Sequence, residues 1–165
     1  MTVAVVMGSA SDLEIMRPAV EVLGALRIPT EVRILSAHRT PDDALAFARD
    51  AAGRGVHVLI AGAGGAAHLA GMLAAVTALP VIAVPIATGS LGGLDALLAM
   101  VQMPAGIPVA TVAVNGSRNA GILAGRIVAL GDPAVADALE RLRSDMAAKV
   151  RAADAKVRAE HEALG

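Results

Sequence analysis

Five apolar runs of strand length punctuate the chain: Thr2 to Met7, Glu31 to Leu35, Val56 to Ala61, Val81 to Pro85 and Val109 to Val114. Between them lie helix-like segments, the clearest being Leu13, Met16, Val20 and Leu23, which recur at helical spacing. Apolar runs without polar alternation fit strands buried on both faces. Their alternation with helices predicts an α/β domain around a parallel sheet.

Punctuation supports the same division. Gly8-Ser9-Ala10-Ser11-Asp12 makes a turn after the first run and supplies helix-capping side chains before Leu13. Thr40 and Pro41 suit the N-cap and first turn of a second helix, and Asp42 and Asp43 follow where the helix dipole favours negative charge. The third run leads into Gly62-Ala63-Gly64-Gly65-Ala66-Ala67-His68, then a small-residue helix to about Val76.

From Asp132-Pro133 onward the pattern changes. Val135, Leu139, Leu142, Met146, Val150, Ala153 and Val157 recur at spacings of three and four among many charges, which predicts an amphipathic helix with one apolar face. Residues 1–131 read as the α/β catalytic domain, and residues 132–165 as this helix, either part of the same domain or part of an oligomer interface.

Composition narrows the possible roles. Fourteen basic residues against fifteen acidic ones give a net charge of -1, without the basic face that nucleic-acid binding requires. The absence of cysteine excludes disulfides, thiolate zinc sites and cysteine nucleophiles. No Lys, Arg, Asp or Glu occurs from Gly55 to Leu94, yet glycines and the prolines at 80 and 85 cut this stretch into short pieces. A buried sheet, and no membrane span, is expected from it. Thr2 to Met7 lacks the flanks of a signal peptide, so a cytoplasmic location is expected.

Three loops carry the candidate chemistry, and in an open parallel sheet they meet outside the carboxyl ends of the strands. In the first, Ser9 and Ser11 ahead of a helix suit either simple capping or a phosphoryl group; Asp12 suits a sugar hydroxyl better than phosphate. In the second, Ser36-Ala37-His38-Arg39 places an imidazole beside a guanidinium. Arg39 can clamp an anion with two parallel hydrogen bonds, while His38 can give and take a proton near neutral pH. His57 and His161 read as structural.

The third loop fits G-x-G-x-x-G/A at Gly62, Gly64 and Ala67, but it follows the third strand, and no acidic residue follows until Asp95. A dinucleotide site is therefore not expected. Close approach of a ligand to backbone, or tight helix packing, explains these glycines equally well. His68 reads either as a polar contact to ligand or as a helix-start residue. No third ligand accompanies His38 and His68, and no metal is expected.

Together the segments 7–12, 36–41, 61–69, 93–98, 101–104, 108–112 and 119–120 resemble the class I N5-carboxyaminoimidazole ribonucleotide mutase family, over roughly Val3 to Ala129. The family usually carries proline where this chain has Ala70, and serine where it has Ala96. The resemblance implies a flavodoxin-like, three-layer fold and a homo-octamer. It implies an isomerase of purine biosynthesis that moves a carboxylate from the exocyclic nitrogen of an aminoimidazole ribonucleotide to C4 without ATP, metal or organic cofactor.

By the same resemblance His38 is the acid/base. Ser9, Ser11, Asp12, Ser36 and Arg39 bind the ribonucleotide, joined by Gly64, Gly65, Ala66 and His68. Two other readings stand beside it: direct carboxylation of the bare aminoimidazole ribonucleotide with carbon dioxide, and a non-catalytic nucleotide-binding module. The sequence His68-Leu69 looks like the class I form.

Overall fold

A computed structural model describes residues 1–162. β1 (Thr2–Met7) sends Val3, Val5 and Met7 to one side and Ala4 and Val6 to the other, and all five are fully buried. Both faces of the strand therefore need a covering layer, and the chain supplies helices for each. The remaining strands are β2 (Thr30–Ile34), β3 (Val56–Gly64), β4 (Val81–Ile86) and β5 (Ala110–Thr111). All pair in parallel, in the order β2-β1-β3-β4-β5.

The two faces differ in bulk. Beside Val3, Val5 and Met7 lie Val58 and Ile60 of β3 and Ile82, Val84 and Ile86 of β4. This side is covered by α1 (Leu13–Ala25) and α5 (Ser117–Val128). On the other side Ala4, Ala61, Ala63 and Ala83 make a thinner surface for α2 (Pro41–Asp50), α3 (Leu69–Ala74) and α4 (Leu94–Val101). The expected flavodoxin-like three-layer sheet is thus formed.

α1 and α5 touch closely because Gly121 carries no side chain. A Cβ there would lie 2.9 Å from the Ala19 carbonyl oxygen and against the Val22 side chain. The approach also lets the Ser117 hydroxyl donate to the Ile15 carbonyl.

Four of the five strands depart from the expected runs: β3 continues three residues past Ala61 to Gly64, β4 one residue past Pro85 to Ile86, and β2 and β5 differ as follows. β5 is two residues long, although the apolar run continues to Val114. Val112 N–H bonds the Ala83 carbonyl (3.0 Å) and Asn115 N–H the Pro85 carbonyl (2.8 Å), so three residues of the edge span two of β4 and the regular ladder is lost before the left-handed Asn115 (φ 58°) leads into α5. β2 begins and ends one residue earlier than expected, with Leu35 N–H still bonded to the Met7 carbonyl at 2.9 Å. Its outer face exposes Val32 and Ile34, as an edge strand without a covering layer does.

α6 (Pro133–Glu162) is thirty residues long, and Asp132 caps it by accepting from Ala134 N–H at 3.1 Å. Val135 alone on it is buried, and Leu139 packs toward Gly125 of α5. Farther along, Met146, Val150 and Val157 are exposed. The apolar positions repeat after eleven residues, Val135 to Met146 to Val157 and Leu139 to Val150, so they stay on one face of a nearly straight helix. Among the described residues no helix is long and apolar enough to cross a membrane.

Candidate active site

The strand order sets where a ligand fits. From β1 the chain moves outward to β2 and then returns past β1 to β3, so the loops after β1 and β3 diverge and open a crevice at the carboxyl edge. A cavity of about 410 Å3 lies there. That volume suits a small organic ligand.

The loop after β1 forms one wall through Gly8, Ser9, Ser11 and Asp12. A single turn of 3₁₀ helix, Ala10–Asp12, precedes α1 and is closed by a capping box. Asp12 Oδ2 accepts from Ser9 N–H (3.0 Å), and Ser9 Oγ accepts from Ser11 N–H (3.4 Å). The Ser11 hydroxyl donates to Ser9 Oγ at 2.9 Å. Capping and pocket lining are thus the same residues doing both: the box fixes two hydroxyls and a carboxylate on the cavity wall.

The loop after β2 supplies the charged groups. Ser36 Oγ accepts from Arg39 N–H (3.2 Å) and from its Nε (3.3 Å), while Arg39 Nη2 donates to the Gly8 carbonyl at 2.9 Å. The guanidinium is thereby held across the tops of β1 and β2. Thr40 does occupy the N-cap position of α2, but its hydroxyl serves the loop and not the helix, accepting from Ser36 N–H at 3.1 Å. A second hollow of about 390 Å3 shares Ser9, Ser36 and Arg39 with the first and runs out to Ile34. Arg39 stands between the two.

β3 contributes Ala63 and Gly64, the loop after it Ala66, and the start of α3 Leu69. At Gly64 a Cβ would lie 2.5 Å from Thr88 Oγ1 and 3.0 Å from the Ile86 carbonyl oxygen, so glycine is needed for the β4 loop to close over β3. Gly65 turns the chain with a left-handed backbone (φ 60°) but does not line the cavity. His68 also stays off its wall and instead meets His38: His38 Nε2 and His68 Nδ1 are 2.8 Å apart, with ring planes at 85°.

Thr88 lines the cavity and was not among the sequence candidates. The available signal was its position directly after β4, at the same sheet edge as the other three loops. His57, at the amino end of β3, hydrogen-bonds the Gly55 carbonyl (2.9 Å), and His161 lies exposed near the end of α6. Neither joins the crevice. Phe47, the one aromatic residue besides histidine, lies outside it too, with Arg54 stacked 4.5 Å from its ring centre.

Backbone and hydroxyl donors, a fixed guanidinium, a carboxylate and a solvent-accessible imidazole converge on one small cavity. Fold and site together define a flavodoxin-like enzyme site for an anionic, hydroxyl-bearing small molecule.

The chain belongs to the AIR carboxylase family, which matches residues 2–149. It is 52% identical over 155 residues to the N5-carboxyaminoimidazole ribonucleotide mutase of Mycobacterium tuberculosis (strain H37Rv), covering 94% of this chain and 89% of that one. The Saccharolobus solfataricus protein of the same name is 54% identical over 144 residues, 87% of this chain and 91% of the relative. A phosphoribosylaminoimidazole carboxylase of Schizosaccharomyces pombe is also 54% identical over 144 residues, but the match spans only 26% of that longer protein. Among solved structures, Treponema denticola PurE superposes with a TM-score of 0.84 at 28% identity, covering 94% of this chain and 97% of the other.

Proposed function

We propose that this chain is an N5-carboxyaminoimidazole ribonucleotide mutase, an isomerase of purine biosynthesis that yields 4-carboxy-5-aminoimidazole ribonucleotide. The observation that carries the reading is His38, the imidazole that lines the cavity of about 410 Å3 beside the Arg39 guanidinium. Relatives bearing the mutase name share more than half of their aligned residues with it.

The chemistry asks little of the protein in number of groups. The carbamate C–N bond breaks and releases carbon dioxide while the His38 imidazolium gives its proton to the nitrogen. C4 then attacks the carbon dioxide, and the neutral imidazole takes the proton that C4 loses. The carboxylate has moved from nitrogen to carbon and His38 has regained its proton, so one acid/base closes the cycle. Arg39 and the Ser9 and Ser11 hydroxyls suit the phosphate, Asp12 suits a ribose hydroxyl, and Ser36 holds Arg39. Gly64 and Ala66 allow the ring close to the backbone, with Gly65 turning the chain between them, and the small, apolar side of the cavity keeps carbon dioxide beside it.

The assembly we assign is a homo-octamer in the cytoplasm. Eight copies in a closed assembly need at least two different contacts, and two apolar stripes are exposed on each copy. One is Leu91, Leu94, Leu98 and Val101 on and before α4; the other is Met146, Val150 and Val157 on α6. Asp95, in the first turn of α4, has a buried carboxylate oxygen without a hydrogen-bond partner among the described residues, as a group completed by a neighbour would. In this reading residues 1–131 are the catalytic unit and α6 is the subunit contact. Sedimentation analysis checks it: eight-fold mass is expected, and a lower mass overturns it.

The carboxylase name of the fission yeast relative keeps one alternative in play. A side-by-side turnover assay decides. The N5-carboxy ribonucleotide alone should be converted rapidly, and conversion of the bare ribonucleotide with bicarbonate would assign the direct carboxylase. Inactivity of folded protein on both would leave a binding module.

A further inference from the structure

We propose that His68 is a positioning residue that fixes the tautomer of His38, an inference that rests on the mutase reading above. An acid/base imidazole works only if one nitrogen is reserved for the reacting proton, and a neighbouring group usually reserves it by bonding the other nitrogen. Near His38 the familiar orienting groups are committed elsewhere. The Asp12 carboxylate serves Ser9 and Ser11, and Ser36 and the Gly8 carbonyl hold Arg39. Among the described residues the hydrogen bond made by the His38 ring is to His68.

The two rings arrive by separate routes. β1 lies between β2 and β3, so the loops after β2 and β3 must lean over its end to meet. Ala37 and Leu35 anchor His38 from below, while the buried Leu69 and Ala70 anchor His68 at the start of α3. At 2.8 Å two N–H groups cannot face each other, so His38 Nε2 and His68 Nδ1 hold one proton between them. The near-perpendicular rings, with centres 5.0 Å apart, aim the edge of one at the other.

If His68 accepts through Nδ1, neutral His38 carries its proton on Nε2 and keeps a lone pair on Nδ1. In the imidazolium form Nδ1 carries a proton as well; it gives that proton to the carbamate nitrogen as the C–N bond breaks, which leaves the neutral Nε2–H tautomer, and the freed Nδ1 lone pair takes the C4 proton once the new C–C bond has formed. Proton count at the pair is unchanged over the cycle. The opposite tautomer would occupy Nδ1 and leave C4 without a base.

The test is to label the full-length protein isotopically at its histidine nitrogens and read the His38 tautomer by long-range nitrogen–proton correlation, using His38→Asn to assign it. Wild type should show His38 protonated on Nε2, and His68→Leu should show a mixture. In the turnover assay His68→Leu should lose roughly 10- to 100-fold in kcat with KM held within about twofold, the scale seen when an imidazole loses its orienting partner. His68→Asn, which keeps a polar side chain should Leu fail to fold, should recover part of that kcat. An unchanged tautomer, or a raised KM at unchanged kcat, would overturn the proposal and make His68 a substrate contact or a loop residue. An inactive wild type would instead sink the mutase reading, and with it the catalytic part of this one, while the tautomer signal still reports the pair.

Discussion

Adding one methyl group at Gly64 should weaken substrate capture, whereas the same change two residues earlier should not. At Gly64 the new Cβ meets Thr88 Oγ1 at 2.5 Å, Thr88 Cγ2 at 2.7 Å and the Ile86 carbonyl oxygen at 3.0 Å. The carbonyl cannot retreat, because Gly64 and Ile86 are paired in the β3–β4 ladder. Thr88 is exposed and can swing, and its movement alters the cavity it lines. Overpacking of this kind costs about 1–3 kcal/mol, and with one mobile neighbour the lower half of that range applies. If the bound ligand requires Thr88 in its native place, that cost falls on the complex alone, and at about 1.4 kcal/mol per tenfold Gly64→Ala should raise KM by roughly 5- to 30-fold.

Gly62→Ala is the control, since there the atoms nearest the Cβ all belong to the flexible Met16 side chain, Sδ first and then Cε and Cγ at 3.0 Å. Met16, on the sheet-facing side of α1, is fully buried and does not line the cavity. This variant should lose about 1–3 kcal/mol of stability, a fall of roughly 2–10 °C in Tm, with KM unchanged. Steady-state kinetics and thermal unfolding on both proteins suffice. A Gly64→Ala enzyme with KM within twofold of wild type, or a Gly62→Ala enzyme with KM raised as much, would refute the assignment of the Gly64–Thr88 contact to the site.

Four further outcomes are expected. His38→Asn should lower kcat by about 10² to 10⁴ while binding of the product, followed by calorimetry, stays within a few-fold. Arg39→Lys should raise KM about tenfold, because an ammonium cannot reach both Ser36 Oγ and the Gly8 carbonyl while also forking to an anion. Ala70→Pro should raise Tm, by about 0.4–1 kcal/mol of stability, because the first helical bond of α3, Met72 N–H to the His68 carbonyl, begins two residues later. Finally, the Arg143 hydrogen bond lowers the Glu140 pKa below 4.5. A depressed carboxyl stabilises the fold above its unfolded pKa and loses that contribution as pH falls through the folded value, so Glu140→Gln should flatten the acid limb of helix content in α6.

Much of this was readable in one dimension, for identifiable reasons. β1 and β4 announce themselves because burial on both faces forbids polar residues, and Ser9 and Asp12 because a helix start needs caps whatever else it does. β5 is only Ala110–Thr111 because apolarity marks burial and says nothing of the irregular register between Val112 and Asn115, where three residues span two of β4. Thr88 was missed because a lone threonine among glycines has no signature of its own. The His38–His68 contact joins residues thirty apart, and only the strand order, with β1 interposed, brings their loops together. The resemblance groups Gly65 and His68 with the ligand-binding residues, and the structure sets both beside the cavity wall, which on that side is Ala63, Gly64, Ala66 and Leu69.

The isolation of Phe47 beneath Arg33 and Arg54, outside the crevice, has an optical meaning. With no tryptophan or tyrosine in the chain, the protein is nearly dark in the near ultraviolet, and its single phenyl ring sits where a ligand does not disturb it. An imidazole nucleotide entering the cavity would be the dominant chromophore of the complex. Its absorbance and its induced ellipticity can then be followed against almost no background, so that capture, carboxyl migration and release become visible in the native enzyme without a dye or an inserted reporter.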